Sequence, residues 1–309
     1  MKILVVGAGA IGGYFGGRLL EKGENVTFLV REKRKKQLEQ TGLMIKSVHG
    51  NMHLTPSLIT ADQRADPFDV ILISTKSYQL NDVIKDIHPF VGNETMILPL
   101  LNGIAHVNQL IKEFGEKAVI GGLCFIETTL DHEGRVIQSS PIHKLVYGER
   151  NGQMTDRIKR LQSSFEGTKA SFILSEKINQ DMWHKYLFIS AFSGITSLMN
   201  SPIGPIREEK SGYKAIAVLL NEISAIMKKI EAPIEEKIAE AQLETMKEMG
   251  DQMKSSMQRD MEKLFPIEAE HLHGYLLEKA EDHHLDAPVL QTIYTKLKLY
   301  EKELSQNQP

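Results

Sequence analysis

Three observations predict an α/β protein, with a doubly wound parallel sheet in the N-terminal half and an all-helical C-terminal domain. Short runs rich in Val, Ile and Leu alternate with helical patterns over the first half of the chain. These runs are continuously apolar rather than alternately apolar and polar, as expected of strands covered on both faces. Beyond about residue 175 the strand-like runs stop, and helical patterns continue with breaks at Pro202, Pro205, Pro233, Gly250, Pro266 and Pro288.

The elements follow in order. KILVV (2–6), NVTFLV (25–30), DVILIS (69–74), TMILPLL (95–101) and AVIGGLCFIE (118–127) read as strands of the parallel sheet. Helical stretches near 10–22, 78–88 and 105–114 lie between them. EGRVIQ (133–138) and IHKLVYG (142–148) read as a later antiparallel pair. Met246, Met249, Met253, Met257 and Met261 recur three or four apart, a stripe expected to be helix core or domain packing. The length of 309 residues suits two domains of roughly 150 residues each, placed here at 1–172 and 173–309.

Composition narrows the function classes. The hydrophobic fraction is 41% and the charged fraction 25%, ordinary globular values that allow two cores. A net charge of −3 offers no electrostatic case for nucleic acid. The apolar start is interrupted by Gly7, Gly9, Gly12 and Gly13, lacks a basic leader and is too short to span a membrane. The expectation is therefore a cytoplasmic protein with a small-molecule partner and no membrane partner. One cysteine, Cys124, excludes an internal disulfide and a cysteine-rich zinc site, and reads as a buried small residue. No metal site is expected. His271 and His273 are two apart and do not share a helix face, while His184 and the pair His283-His284 read as structural. The sequence does not fix an oligomeric state, although a long helical C-terminal half commonly builds homodimers.

Chemistry enters with Gly7-Ala8-Gly9-Ala10-Ile11-Gly12, a G-x-G-x-x-G pattern between a predicted strand and a predicted helix. Gly7 permits the tight turn, Gly9 lets backbone approach a pyrophosphate, and Gly12 lets helix and strand pack closely. The amides of Ala10, Ile11 and Gly12 open a helix N-terminus, which favours an anion. This is the dinucleotide-binding turn of a Rossmann-type domain. An NAD site usually has Asp or Glu at the end of the second strand, whereas here that place holds Arg31. A guanidinium suits a 2′-phosphate, so NADP (as NADPH) is the expected cofactor. The following Lys33, Arg34, Lys35 and Lys36 read mostly as a solvated helix face.

The glycine turn and Arg31 join STKSYQ (74–79), LPLLNGI (98–104), INQDMWHKYLF (178–188) and SSMQRDMEKLFPIEAEHLHGYLL (255–277) in one ordered set. In these motifs, over nearly its whole length, the chain resembles the ketopantoate reductase (2-dehydropantoate 2-reductase) family. The resemblance implies NADPH-dependent reduction of a 2-oxo acid, with 2-dehydropantoate to pantoate, a step of pantothenate and coenzyme A synthesis, as the leading reaction. Lys185 matches the catalytic lysine, though without the resemblance it reads by default as a surface lysine on an amphipathic helix. Glu268 matches a glutamate that orients substrate and lysine. It also reads as a dipole-complementing acid two residues after Pro266 at a helix start. Asn102 matches an asparagine near the nicotinamide ribose and the reacting centre, and Lys76 a lysine beside the cofactor. Ser256 matches a serine that binds the substrate carboxylate, although Ser-Ser is also a common helix cap.

Two positions depart from the pattern. Asparagines four and eight residues beyond the lysine help hold substrate in the family, and here those positions are Ile189 and Ser193. Both stay near the helix face of Lys185, so they remain substrate-contacting candidates with altered chemistry. The alternatives are therefore a reductase of another branched 2-oxo acid and a non-catalytic NADP-binding sensor. Glu127 receives no assignment.

Overall fold

The structure is a computed structural model that describes residues 1–306. Strand β1 (Lys2–Val6) leads into helix α1 (Ala10–Lys22), and β2 (Asn25–Leu29) into α2 (Glu32–Thr41). Short strands β3 (Leu43–Ser47), β4 (Met52–Leu54) and β5 (Ser57–Ile59) precede β6 (Val70–Ile73), α3 (Leu80–Ile87), β7 (Met96–Pro99) and α4 (Ala105–Phe114). Then come β8 (Gly121–Leu130), β9 (Val136–Gly148), α5 (Asp156–Phe165) and β10 (Ser171–Leu174).

The first sheet has the order β5-β2-β1-β6-β7 and is parallel throughout. Ile3, Leu4 and Val5 of β1 and all four residues of β6 are completely buried, which is why these runs are continuously apolar. The chain leaves β1 toward β2 on one side and returns to β6 on the other. The carboxyl ends of β1 and β6 therefore flank the crevice where such sheets bind ligands.

The remaining strands form a second sheet. The expected strand at 118–127 joins the parallel sheet only through a bridge from Val119 to Ile97. From Gly121 it pairs antiparallel with β9. Its outer half, with Glu127, Thr128 and Thr129, is too polar for a strand buried on both faces and suits one half-solvated side. The expected hairpin of 133–138 with 142–148 is instead one continuous strand, β9. Reversal occurs earlier, at Asp131–Gly134, where the Asp131 carboxylate accepts from the amides of Glu133 and Arg135 at 3.0 and 2.9 Å. Pro141 lies in β9 close to a register irregularity between Ile126 and Thr128 of its partner, where its missing N–H is tolerated.

The helical part comprises α6 (Ile178–Met199), α7 (Ile203–Glu208), α8 (Lys210–Lys229), α9 (Ile238–Glu248), α10 (Ser256–Glu262), a π-helical turn (Glu270–Gly274), α11 (Tyr275–Asp282) and α12 (Pro288–Gln306). Leu187, Ile195, Leu219, Ile223, Leu290, Ile293 and Leu297 are fully buried in its core. The methionine stripe does not ride one helix: α9 ends before Met249 and α10 starts at Ser256. Met246 and Met257 are buried, whereas Met253 between the helices is 43% exposed. Pro266 is not a helix start either, because 265–268 is irregular and the helix begins only at Ala269.

The chain divides into two compact units, Met1–Leu101 with His106–Asn179, and Asn102–Ala105 with Gln180–Pro309. The division falls after 172 because β10 pairs with β9 and keeps 171–174 in the first unit. Among the described residues, no helix is long and apolar enough to cross a membrane.

Candidate active site

In the first unit the glycine turn closes the end of β1. Gly7 has φ +89°, a left-handed conformation that glycine adopts without strain. A Cβ on Gly12 would collide with the Gly7 carbonyl and the Ser74 hydroxyl, so β6 and α1 meet only because this residue has no side chain. Ser74 Oγ also donates to the Val6 carbonyl at 3.0 Å, joining the two strand ends. A Cβ at Gly9 would meet nothing within 4 Å, the open approach a phosphate requires. Gly9 caps α1 with no side chain, and the first turn carries no acid, so the Ala10, Ile11 and Gly12 amides have no local anion competing for them. Lys76 follows β6, half-buried, at the same end of the sheet.

Arg31 is exposed at the start of α2, just beyond β2. Arg34 behaves differently from the basic run around it. Its Nε and Nη2 donate to the Ala8 carbonyl at 3.2 and 3.0 Å, Nη2 donates to the Gly134 carbonyl at 2.9 Å, and Nη1 to Gln37 Oε1 at 2.7 Å. Arg34 thus braces the glycine turn from outside. The signal was present: Arg34 stands four residues before Leu38, the one buried residue of α2, and so on its inward face. These features fit a dinucleotide, whose pyrophosphate the Gly7–Gly12 turn would hold.

The other candidates fall in the second unit. Asn102 belongs there although it follows β7, because the segment Asn102–Ala105 clusters with the helices. Lys185 and Ile189 are half-buried on successive turns of α6. Ser193, one more turn along, is buried, and its hydroxyl donates to the Ile189 carbonyl at 2.6 Å. Thr196 and Ser255 hydroxyls lie 2.9 Å apart, and Thr196 Oγ1 lies 2.8 Å from the Phe192 carbonyl. Ser255 is the cap of α10, accepting from the Gln258 amide at 3.1 Å, while Ser256 is exposed at the first helical position.

Glu268 is almost buried, immediately before the helix that opens into the π turn, and its carbonyl accepts from the Leu272 amide at 3.1 Å. π turns often mark functional positions. Two histidines leave this one by different routes. His273 Nε2 donates to the Ser190 carbonyl at 2.9 Å, and burial pushes its pKa down to about 4. His271 Nε2 donates to the Asn102 carbonyl at 2.8 Å. Tyr186, fully buried, donates to the Leu272 carbonyl at 2.6 Å, and burial holds its phenol well above the ordinary value. His184 accepts from the Glu235 amide at 3.0 Å. Sequence reasoning missed the roles of Arg34 and His271 because each acts on a backbone carbonyl that only the fold brings near.

Comparison with known proteins agrees with this architecture. The family model described as ketopantoate reductase PanE/ApbA matches residues 3–152, and its C-terminal companion matches 177–301. YkpB of Bacillus subtilis, named an uncharacterized oxidoreductase, is 48% identical over 98% of this chain and 100% of its own. The crystal structure of 2-dehydropantoate 2-reductase from Geobacter metallireducens superposes with a TM-score of 0.87 at 25% identity, covering 97% of this chain and 99% of that one. D-mandelate dehydrogenase in complex with NADH and anilino(oxo)acetate has the same fold, with a TM-score of 0.88 at 19% identity over 99% of this chain and 100% of its own. With both halves matched in order, the chain belongs to the ketopantoate reductase family of oxidoreductases.

Proposed function

We propose that the protein reduces a 2-oxo acid to the corresponding 2-hydroxy acid with NADPH. The observation that carries this reading is that one chain holds both an uncapped, sterically open glycine turn in its first unit and Lys185 with a nearly buried Glu268 in its second. A cofactor sensor needs the first and neither of the other two. NADPH, when bound, supplies the hydride. Lys185 delivers the proton to the ketone oxygen and stabilises its developing charge. Ser256 holds the carboxylate, and Glu268 orients substrate and lysine.

Within that reading, 2-dehydropantoate is the substrate suggested by the family, but Ser193 favours a branched 2-oxo acid without a terminal hydroxyl. The Ser193 proton is committed to the Ile189 carbonyl, and Ile189 has no polar atom in its side chain. Steady-state NADPH oxidation against 2-dehydropantoate, 2-oxoisovalerate and related 2-oxo acids tests the proposal. Turnover of at least one is expected, and none with any would overturn it.

Cofactor choice is tested separately. Arg31→Ala is expected to weaken NADPH binding by about tenfold or more while leaving NADH binding unchanged, because only the phosphate ester loses a charge-assisted contact. Fluorescence titration of both cofactors reads the difference. Equal affinities in the unmodified protein would remove Arg31 from the site.

A further inference from the structure

We propose that His271 is a positioning residue, whose hydrogen bond to the Asn102 carbonyl locks the Asn102–Gly103 turn onto the segment that carries Glu268. The two bonded residues are 169 positions apart, so the contact exists only in the folded chain. A carbonyl can only accept, which places the ring proton on Nε2. Gly103 shows how close the fit is. Its φ is +83°, and a Cβ there would lie 2.9 Å from both Cδ2 and Nε2 of His271. The imidazole edge thus lies against the turn where a side chain would otherwise stand.

Burial favours the neutral ring. Burial lowers the His271 pKa, and the Glu268 carboxylate opposes that shift. Glu270, next in the π turn, is turned to Tyr294 and Lys298 of α12. Lys279 of α11 is paired with Glu278 and Asp282. His271 therefore bonds the turn of Asn102 and lies in the field of the Glu268 carboxylate, three residues before it. Loosening it releases Asn102 without removing any group that touches substrate.

The kinetic arm of the test rests on the proposed reductase reading, and the spectroscopic arm does not. In protein labelled at histidine, ring-nitrogen NMR of His271, assigned by its loss in His271→Gln, is expected to show a single neutral Nε2–H form. That form should persist at a pH near 6.5, where an ordinary histidine is about half protonated. A tautomer mixture or ordinary titration would overturn the proposal. The glutamine amide reaches the position of Nε2, whereas the asparagine amide stops short of it. His271→Asn and His271→Leu are therefore expected to lower kcat by about tenfold, with NADPH affinity and Tm close to wild type, and His271→Gln to stay within about threefold. Unchanged kcat in the first two, or a loss in the glutamine variant as large as theirs, would overturn the proposal. If Asn and Leu variants fail to fold, the glutamine variant and the NMR signature decide. If the unmodified protein reduces no 2-oxo acid, the reductase reading falls and the NMR signature alone decides His271.

Discussion

Replacing Lys185 with alanine is expected to lower kcat by about two orders of magnitude or more while NADPH affinity stays nearly unchanged. A positioned general acid contributes about 10²–10⁴-fold, and that contribution is made in the transition state rather than in cofactor binding. Lys185 lies on α6 in the helical unit, whereas the glycine turn and Arg31 belong to the first unit, so its loss leaves the nucleotide residues intact. Single-turnover NADPH oxidation together with fluorescence titration separates the two effects. Near-normal turnover would mean that Lys185 is a surface lysine, with the proton coming from another group. Glu268→Gln provides the contrast. It is expected to weaken both substrate binding and turnover, because the amide keeps the shape of the carboxylate and loses its charge.

The second large effect concerns substrate choice. The protein is expected to reduce 2-dehydropantoate measurably but poorly, and to use 2-oxoisovalerate comparably well or better. Both acids carry the carboxylate and ketone that Ser256 and Lys185 would meet. Only 2-dehydropantoate has a terminal hydroxyl, and leaving it unpaired costs about 1–3 kcal/mol, or roughly tenfold to over a hundredfold in specificity. At the sequence level Ser193 is a candidate to serve that hydroxyl through a water. In the structure Ser193 is 1% exposed and donates to its own helix, which leaves its oxygen only as an acceptor. Ile189→Asn is expected to shift the ratio of kcat/KM values back toward 2-dehydropantoate. The same change at Ser193 would force a larger side chain into a packed position and lower Tm. A strong preference of the unmodified protein for 2-dehydropantoate would show that other groups hold the hydroxyl.

Comparing expectation with structure separates local from long-range information. The first unit was legible where local rules operate. Residues 3–6 and Val70–Ile73 are buried on both faces, so composition alone identified them as central strands. The conformation of Gly7 and the close approach at Gly12 follow from a motif of six residues. The second sheet was not legible. Its strands β3, β4 and β10 are only partly buried and mix polar with apolar residues, and β9 runs through Pro141, where a proline inside a run reads as a break. The methionine spacing runs across Gly250, which the sequence also marks as a break, and the structure separates α9 from α10 there.

By itself the sequence determined the fold class, the glycine turn and the order of motifs along the chain. Each of these depends on residues close together, through strand burial, backbone sterics or helical spacing. Tertiary structure alone decided that Asn102 clusters with the helices rather than with the sheet it leaves, and that Arg34 braces the carbonyl of Ala8. It also decided that His271 bonds the carbonyl of Asn102, and which serine of the Ser255-Ser256 pair is buried as a cap. The physical reason is the same for the Arg34 and His271 contacts. A backbone carbonyl or a helix end is the same chemical group everywhere in the chain, so only folding selects which distant side chain meets it.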